Sequence, residues 1–100
     1  MKRLVIGPDA EADLRQAVLW YADQREGLEQ RFIDEFDEFT RAILLFPRGA
    51  PLITDHIRMM PMRVFKHVIT YTVDGDQVVI LRVVHGSRHP RQRTRGRKRI

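Results

Sequence analysis

The sequence predicts an α+β domain: a helical hairpin packed on a mainly antiparallel sheet, with elements in the order β-α-α-β-β-β. Three observations lead there. Apolar residues recur at the helical repeat before Pro47 and at the strand repeat after Asp55. Only a break centred on Gly27 separates the two helical patterns, which suits an antiparallel hairpin. Two β-rich runs then flank Asp74-Gly75-Asp76, a hairpin turn in which glycine can take positive φ.

Residues 2–6, Lys-Arg-Leu-Val-Ile, read as a short strand ended by Gly7-Pro8. Proline is at home in the first turn of a helix, where its missing N–H has no partner to lose, and Asp9, Glu11 and Asp13 set negative charge at the positive end of the helix dipole. Ala10, Leu14, Ala17, Val18 and Tyr21 form the apolar face of this first helix, which is expected to run to about Arg25. The second helix has a cleaner row: Leu28, Phe32, Phe36, Phe39, Ile43 and Phe46, spaced 4, 4, 3, 4 and 3. Such a row of phenylalanines is core, and Glu29, Asp34, Glu35, Asp37 and Glu38 are expected on an acidic outer face.

Pro47, Gly49 and Pro51 end that helix and open a loop to about Asp55. Residues 56–64, interrupted by Pro61, read as an irregular or edge strand with Arg58 and Arg63 exposed. Residues 67–73 are rich in Val, Ile, Thr and Tyr. Residues 78–84 are nearly all apolar, which predicts a central strand covered on both faces.

Composition bounds the function. A chain of 100 residues with 43% hydrophobic content encloses one modest core, which excludes a multidomain enzyme. The absence of cysteine excludes disulfides, thiolate metal sites and a cysteine nucleophile. The apolar run near Met1 is too short for a signal peptide and no stretch is long enough to span a bilayer, so a cytoplasmic protein without membrane contact is expected. The net charge of +5 hides an asymmetry: residues 82–100 hold eight cations and no acid, whereas the other 81 residues hold 10 basic and 13 acidic side chains. The domain is therefore taken as residues 1–90, followed by a basic tail at 91–100 that suits an anionic partner.

Sequence signatures of catalysis are sparse. The chain has no glycine-rich phosphate loop, no H-E-x-x-H and no serine elbow, and His85 and His89 are separated by Gly86 and followed by Pro90, so no helical metal pair is expected. No cofactor is expected. A metal-free ribonuclease would need proton-transfer groups and cations around the phosphate; His67, His85 and His89 could supply the first, and Arg63, Lys66, Arg82 and Arg88 the second. That inventory is one any basic domain of this size offers, and on composition the histidines are expected to cap or border the sheet.

Residues 71–88, YTVDGDQVVILRVVHGSR, resemble the last hairpin of the ParE toxins of the ParE/RelE superfamily, Y-x-V, a turn, then V-x-I-L-x-V-x-H-G-x-R. Ala10-Glu11-Ala12-Asp13-Leu14 is similar to the A-x-x-D-L of the first helix, Arg31-Phe32 to the R-F that opens the second, Pro47 and Gly49 to its terminating turn, and Arg58 to the arginine introducing the next strand. The resemblance covers roughly residues 2–90. It implies a type II toxin, related to plasmid-stabilisation proteins, that inhibits DNA gyrase as a protein inhibitor rather than as an enzyme and forms a hetero-oligomer with a ParD-like antitoxin. The RelE branch implies the alternative, a ribosome-dependent mRNA endoribonuclease using Arg63, Lys66, Arg82 and Arg88. The chain has no tyrosine after Arg88, where that branch carries one, and few lysines, which favours the gyrase reading. Arg58, Arg63, Arg82 and Arg88 are the expected antitoxin contacts, because an acidic segment would be steered to them.

Overall fold

A computed structural model describes residues 2–86. The predicted elements follow in the predicted order: β1 (Arg3–Ile6), α1 (Pro8–Gln24), α2 (Leu28–Leu45), β2 (Ile57–Pro61), β3 (His67–Asp74) and β4 (Gln77–His85). In space the strands lie β1-β4-β3-β2. The two later pairs are antiparallel, whereas β1 runs parallel to β4, with Arg3 opposite Gln77 and Ile6 opposite Ile80. A parallel neighbour requires a crossover, and the helical hairpin lies within it.

Local chemistry sets the element ends. Gly7 N–H donates to Ile80 O at 2.9 Å, which carries the chain off the sheet into α1 with Pro8 in its first turn. Gly27 takes φ 85° between the helices, and Gly75 takes φ 60° at the first central position of the two-residue β3–β4 loop, the conformation a type II′ turn demands there.

The core lies between the hairpin and one face of the sheet. Ala10 and Ala17 of α1 and Phe32, Phe36 and Ile43 of α2 meet Ile69, Tyr71, Val78, Ile80 and Val83. At its aromatic centre, Tyr21 and Phe32 stand 5.2 Å apart, and Phe65 meets Tyr21 at 4.9 Å and Phe32 at 5.4 Å in edge-to-face contacts.

Four expectations are corrected. The phenylalanine row ends early: α2 stops at Leu45, and Phe46, which caps it in a non-helical conformation, is 72% exposed. Glu35 is buried rather than on the outer face. Its spacing of three from Phe32 and four from Phe39 puts it on the apolar side. β4 is central but buried mainly on one face, since Val78, Ile80 and Val83 are enclosed while Val79, Leu81 and Val84 are half-exposed. The jump from Ile80 to Val83 comes from a register shift: Tyr71 faces Ile80 but Thr70 faces Arg82, leaving Leu81 as an extra residue in a bulge. Arg58, expected to be exposed, is half-buried on the edge strand β2, beside Tyr71.

No helix among the described residues is long and apolar enough to cross a membrane. Arg88, His89 and the tail at 91–100 lie outside the described residues.

Phe32 is fully buried and touches both layers, so Phe32→Ala is expected to cost about 3–5 kcal/mol, a large part of the stability of a small domain, measured as a lower urea midpoint at unchanged slope.

Candidate functional site

The cations named from the sequence are placed on different supports. Arg82 sits in the β4 bulge, where its Nε and Nη2 donate to the Asp13 carboxylate of α1 at 2.8 and 3.1 Å; the same carboxylate accepts Val83 N–H at 2.9 Å. That pairing holds the Arg82 guanidinium above its ordinary pKa, chiefly through the hydrogen bond it donates to Asp13. β1 reaches only as far as Ile80, so the backbone of β4 beyond it has an open side, and Asp13 fills part of it.

Arg63 is held at the other helix. The Glu35 carboxylate accepts the backbone N–H of Arg63 at 2.7 Å and of Val64 at 3.0 Å. The Arg63 side chain lies 3.3 Å from Glu38 and 5.8 Å from the centre of the Phe39 ring. Glu35 therefore fixes the loop from Met62 to Lys66, with Arg63, Val64 and Lys66 facing outward. Arg58 turns the other way and donates from one nitrogen to the carbonyls of Arg48 and Ala50, at 3.1 and 2.7 Å. Arg63 and Arg82 are thus bound to different helices, Arg63 to Glu38 of α2 and Arg82 to Asp13 of α1.

The histidines divide similarly. His67 is buried, its Nε2 3.1 Å from the Tyr21 hydroxyl, with the Phe32 ring at 5.1 Å and the His85 ring at 5.6 Å. These contacts are those of a histidine bordering the core. His56 pairs with Asp55 at 2.7 Å in an exposed loop, and that hydrogen bond holds the Asp55 carboxyl below its ordinary value. Among the described residues no group of three or more His, Asp or Glu could hold a metal.

A concavity of about 880 Å³ runs between α1 and the end of β4. Asp13, Ala17, Trp20 and Tyr21 form one wall, and Arg82, Val84 and His85 form the other; it continues past Thr70 and Leu81 towards Ile53 and Ile57. Trp20 is 61% exposed at its rim, and its neighbour Leu19 is also exposed. Exposed apolar residues grouped at a groove mark a surface for a partner. Sequence reasoning assigned no role to Asp13 beyond the helix dipole and none to Trp20 or Leu19. The available signal was that Leu19 and Trp20 fall off the apolar stripe of α1, where a surface helix ordinarily carries polar residues.

The helical hairpin over a four-stranded mixed sheet is a fold shared with solved toxin structures. The chain is similar to the chromosomal ParDE toxin-antitoxin system of P. aeruginosa (TM-score 0.72, 19% identity, covering 85% of this chain and 96% of that one). It is also similar to the isolated E. coli RelE toxin (TM-score 0.65, 13% identity, 100% of both chains) and to the YoeB dimer of Staphylococcus aureus (TM-score 0.56, 17% identity, 83% and 94%). A search of curated protein sequences finds no match. The family described as ParE toxin of type II toxin-antitoxin system, parDE, matches residues 4–90, and the chain belongs to that family.

Two outcomes follow from the geometry. Asp13→Ala removes the acceptor of a backbone N–H and of a guanidinium, and is expected to cost about 2–3 kcal/mol, whereas Arg82→Ala, which leaves the Val83 bond intact, costs about 1 kcal/mol; chemical denaturation of both variants compares them. Burial raises the phenol pKa of both tyrosines, Tyr21 and Tyr71, above the usual 10.0. Between 10.0 and those raised values the unfolded chain has released protons that the native chain still holds, so stability is full below 10.0 and falls as pH rises through this window. Absorbance of tyrosinate should therefore lag behind free tyrosine, until base unfolding releases both phenols together.

Proposed function

We propose that the chain is a cytoplasmic toxin that inhibits DNA gyrase, stabilising cleaved DNA, and that a ParD-like antitoxin neutralises it. Its membership of the parDE toxin family supports this reading. The observation that favours it over the nuclease alternative is the state of two of the four cations that alternative would use: Arg82 is paired with Asp13 and Arg63 sits against Glu38, so neither guanidinium is left wholly for a phosphate transition state. A protein inhibitor has no such requirement; it needs surface.

The groove between α1 and β4 is the antitoxin site in this reading. An acidic, apolar segment of the partner would cover Trp20, with Leu19 at its border, follow the open side of β4, and be steered by the cations that crowd the C-terminal end, Arg88 among them. Arg82 lines the groove and Arg63 stands exposed on the Glu35-held loop, while Arg58 acts by holding backbone in place.

Purified toxin, shown active by antitoxin binding, should trap gyrase-DNA cleavage complexes in a plasmid assay. Normal supercoiling at excess toxin overturns the reading, and new mRNA 5′ ends on induction would move the chain to the nuclease branch. Trp20→Ala should weaken antitoxin binding on the order of thirtyfold in calorimetric titration while the fold is kept.

A further inference from the structure

A second exposed apolar feature lies at the C-terminal end of α2, on backbone that the sheet holds still. Leu45 and Phe46 are 61% and 72% exposed, and the chain beyond them makes a tight turn closed by Gly49 N–H donating to Phe46 O at 3.0 Å. Three hydrogen bonds reach this turn from β2 and β3. The hydroxyl of buried Tyr71 donates to Pro47 O at 2.8 Å, and Arg58 donates to Arg48 O at 3.1 Å and to Ala50 O at 2.7 Å. Surface turns are ordinarily left to move. Here a core phenol and a half-buried guanidinium are committed to the carbonyls of residues 47, 48 and 50, so the backbone that carries Phe46 is held before anything meets it. An exposed aromatic carried on backbone that is already held loses less freedom on binding than one on a loose loop, a property that concentrates affinity in a few interface residues.

The hollow beside Phe46, about 440 Å³, is lined by Lys2, Leu45, Phe46, Pro47, Arg48 and Gly49. Its charged residues are both cations. A second copy of the chain would bring cations against cations, and two positive charges around an apolar centre make a poor track for a nucleic-acid backbone. The complementary occupant is a protein surface offering an apolar side chain flanked by carboxylates.

We propose that Leu45 and Phe46, with Lys2 and Arg48, form a second docking surface, separate from the antitoxin groove, through which the toxin engages its protein target. The identity of that target as gyrase rests on the function proposed above. No residue of this hollow lines the α1–β4 groove, so the two surfaces can be varied independently. Arg58 and Tyr71 are positioning residues for it.

The test uses the full chain, its antitoxin, and reconstituted gyrase with plasmid DNA. Phe46→Asp should leave the melting temperature and antitoxin affinity unchanged and raise the toxin concentration for half-maximal gyrase inhibition by about tenfold or more. The double variant Lys2→Glu, Arg48→Glu should show a similar rise, largest at low salt. Arg58→Ala should raise it less, with faster amide exchange at residues 46–50 and antitoxin affinity kept. Folded Phe46→Asp inhibiting as well as wild type, or losing antitoxin affinity in parallel, overturns the proposal; if that variant fails to fold, undiminished inhibition by the charge-reversed variant does the same. Wild-type toxin without effect on gyrase overturns the assignment of the target, and the proposal with it, a result distinguishable because it appears before any substitution is made.

Discussion

The two helices are fixed to the sheet by carboxylates that accept backbone N–H groups the strand ladders leave over. Asp13 takes Val83 N–H where β1 has ended beside β4, and Glu35 takes Arg63 N–H and Val64 N–H where β2 has ended beside β3. A backbone donor shielded from water without an acceptor costs about as much as a lost hydrogen bond, so these two side chains do more than pin helices; they satisfy the part-buried N–H groups where the ladders end. The apolar contacts of Phe32, Ile69 and Ile80 supply most of the driving force but little direction, whereas the carboxylates specify which turn of each helix meets which end of the sheet.

This explains how much of the fold was legible beforehand. Element order, the hairpin and the central place of β4 follow from periodicity and turn residues, because those signals are local. The bulge at Leu81 is not local: with apolar residues on nearly every position from Val78 to Val84, no alternation exists for a shifted register to disturb, and only the partner strand reveals it. Glu35 was readable in principle from its place on the Phe32 and Phe39 side of α2, but composition assigns a glutamate to solvent unless a donor is known to wait for it.

The site was legible in kind and not in arrangement. Counting arginines identifies cations without saying which are already engaged, and Arg58 and Arg82 prove to be structural ties before they are anything else. The exposed aromatic residues, Trp20 and Phe46, were hidden for the opposite reason. Phe46 continues the core row of α2 by spacing, and only the end of the helix one residue earlier turns it outward.

The parallel pairing of β1 with β4 has a consequence for how the protein comes into being. The first strand waits for the last: Leu4 and Ile6 have no sheet neighbour until Val78 and Ile80 have been synthesised, while the helical hairpin depends only on residues close in sequence. A chain emerging from the ribosome can assemble its helices early but completes the sheet, and with it the groove between α1 and β4, only at the end. Interrupted translation would thus yield fragments in which the groove between α1 and β4 is never built.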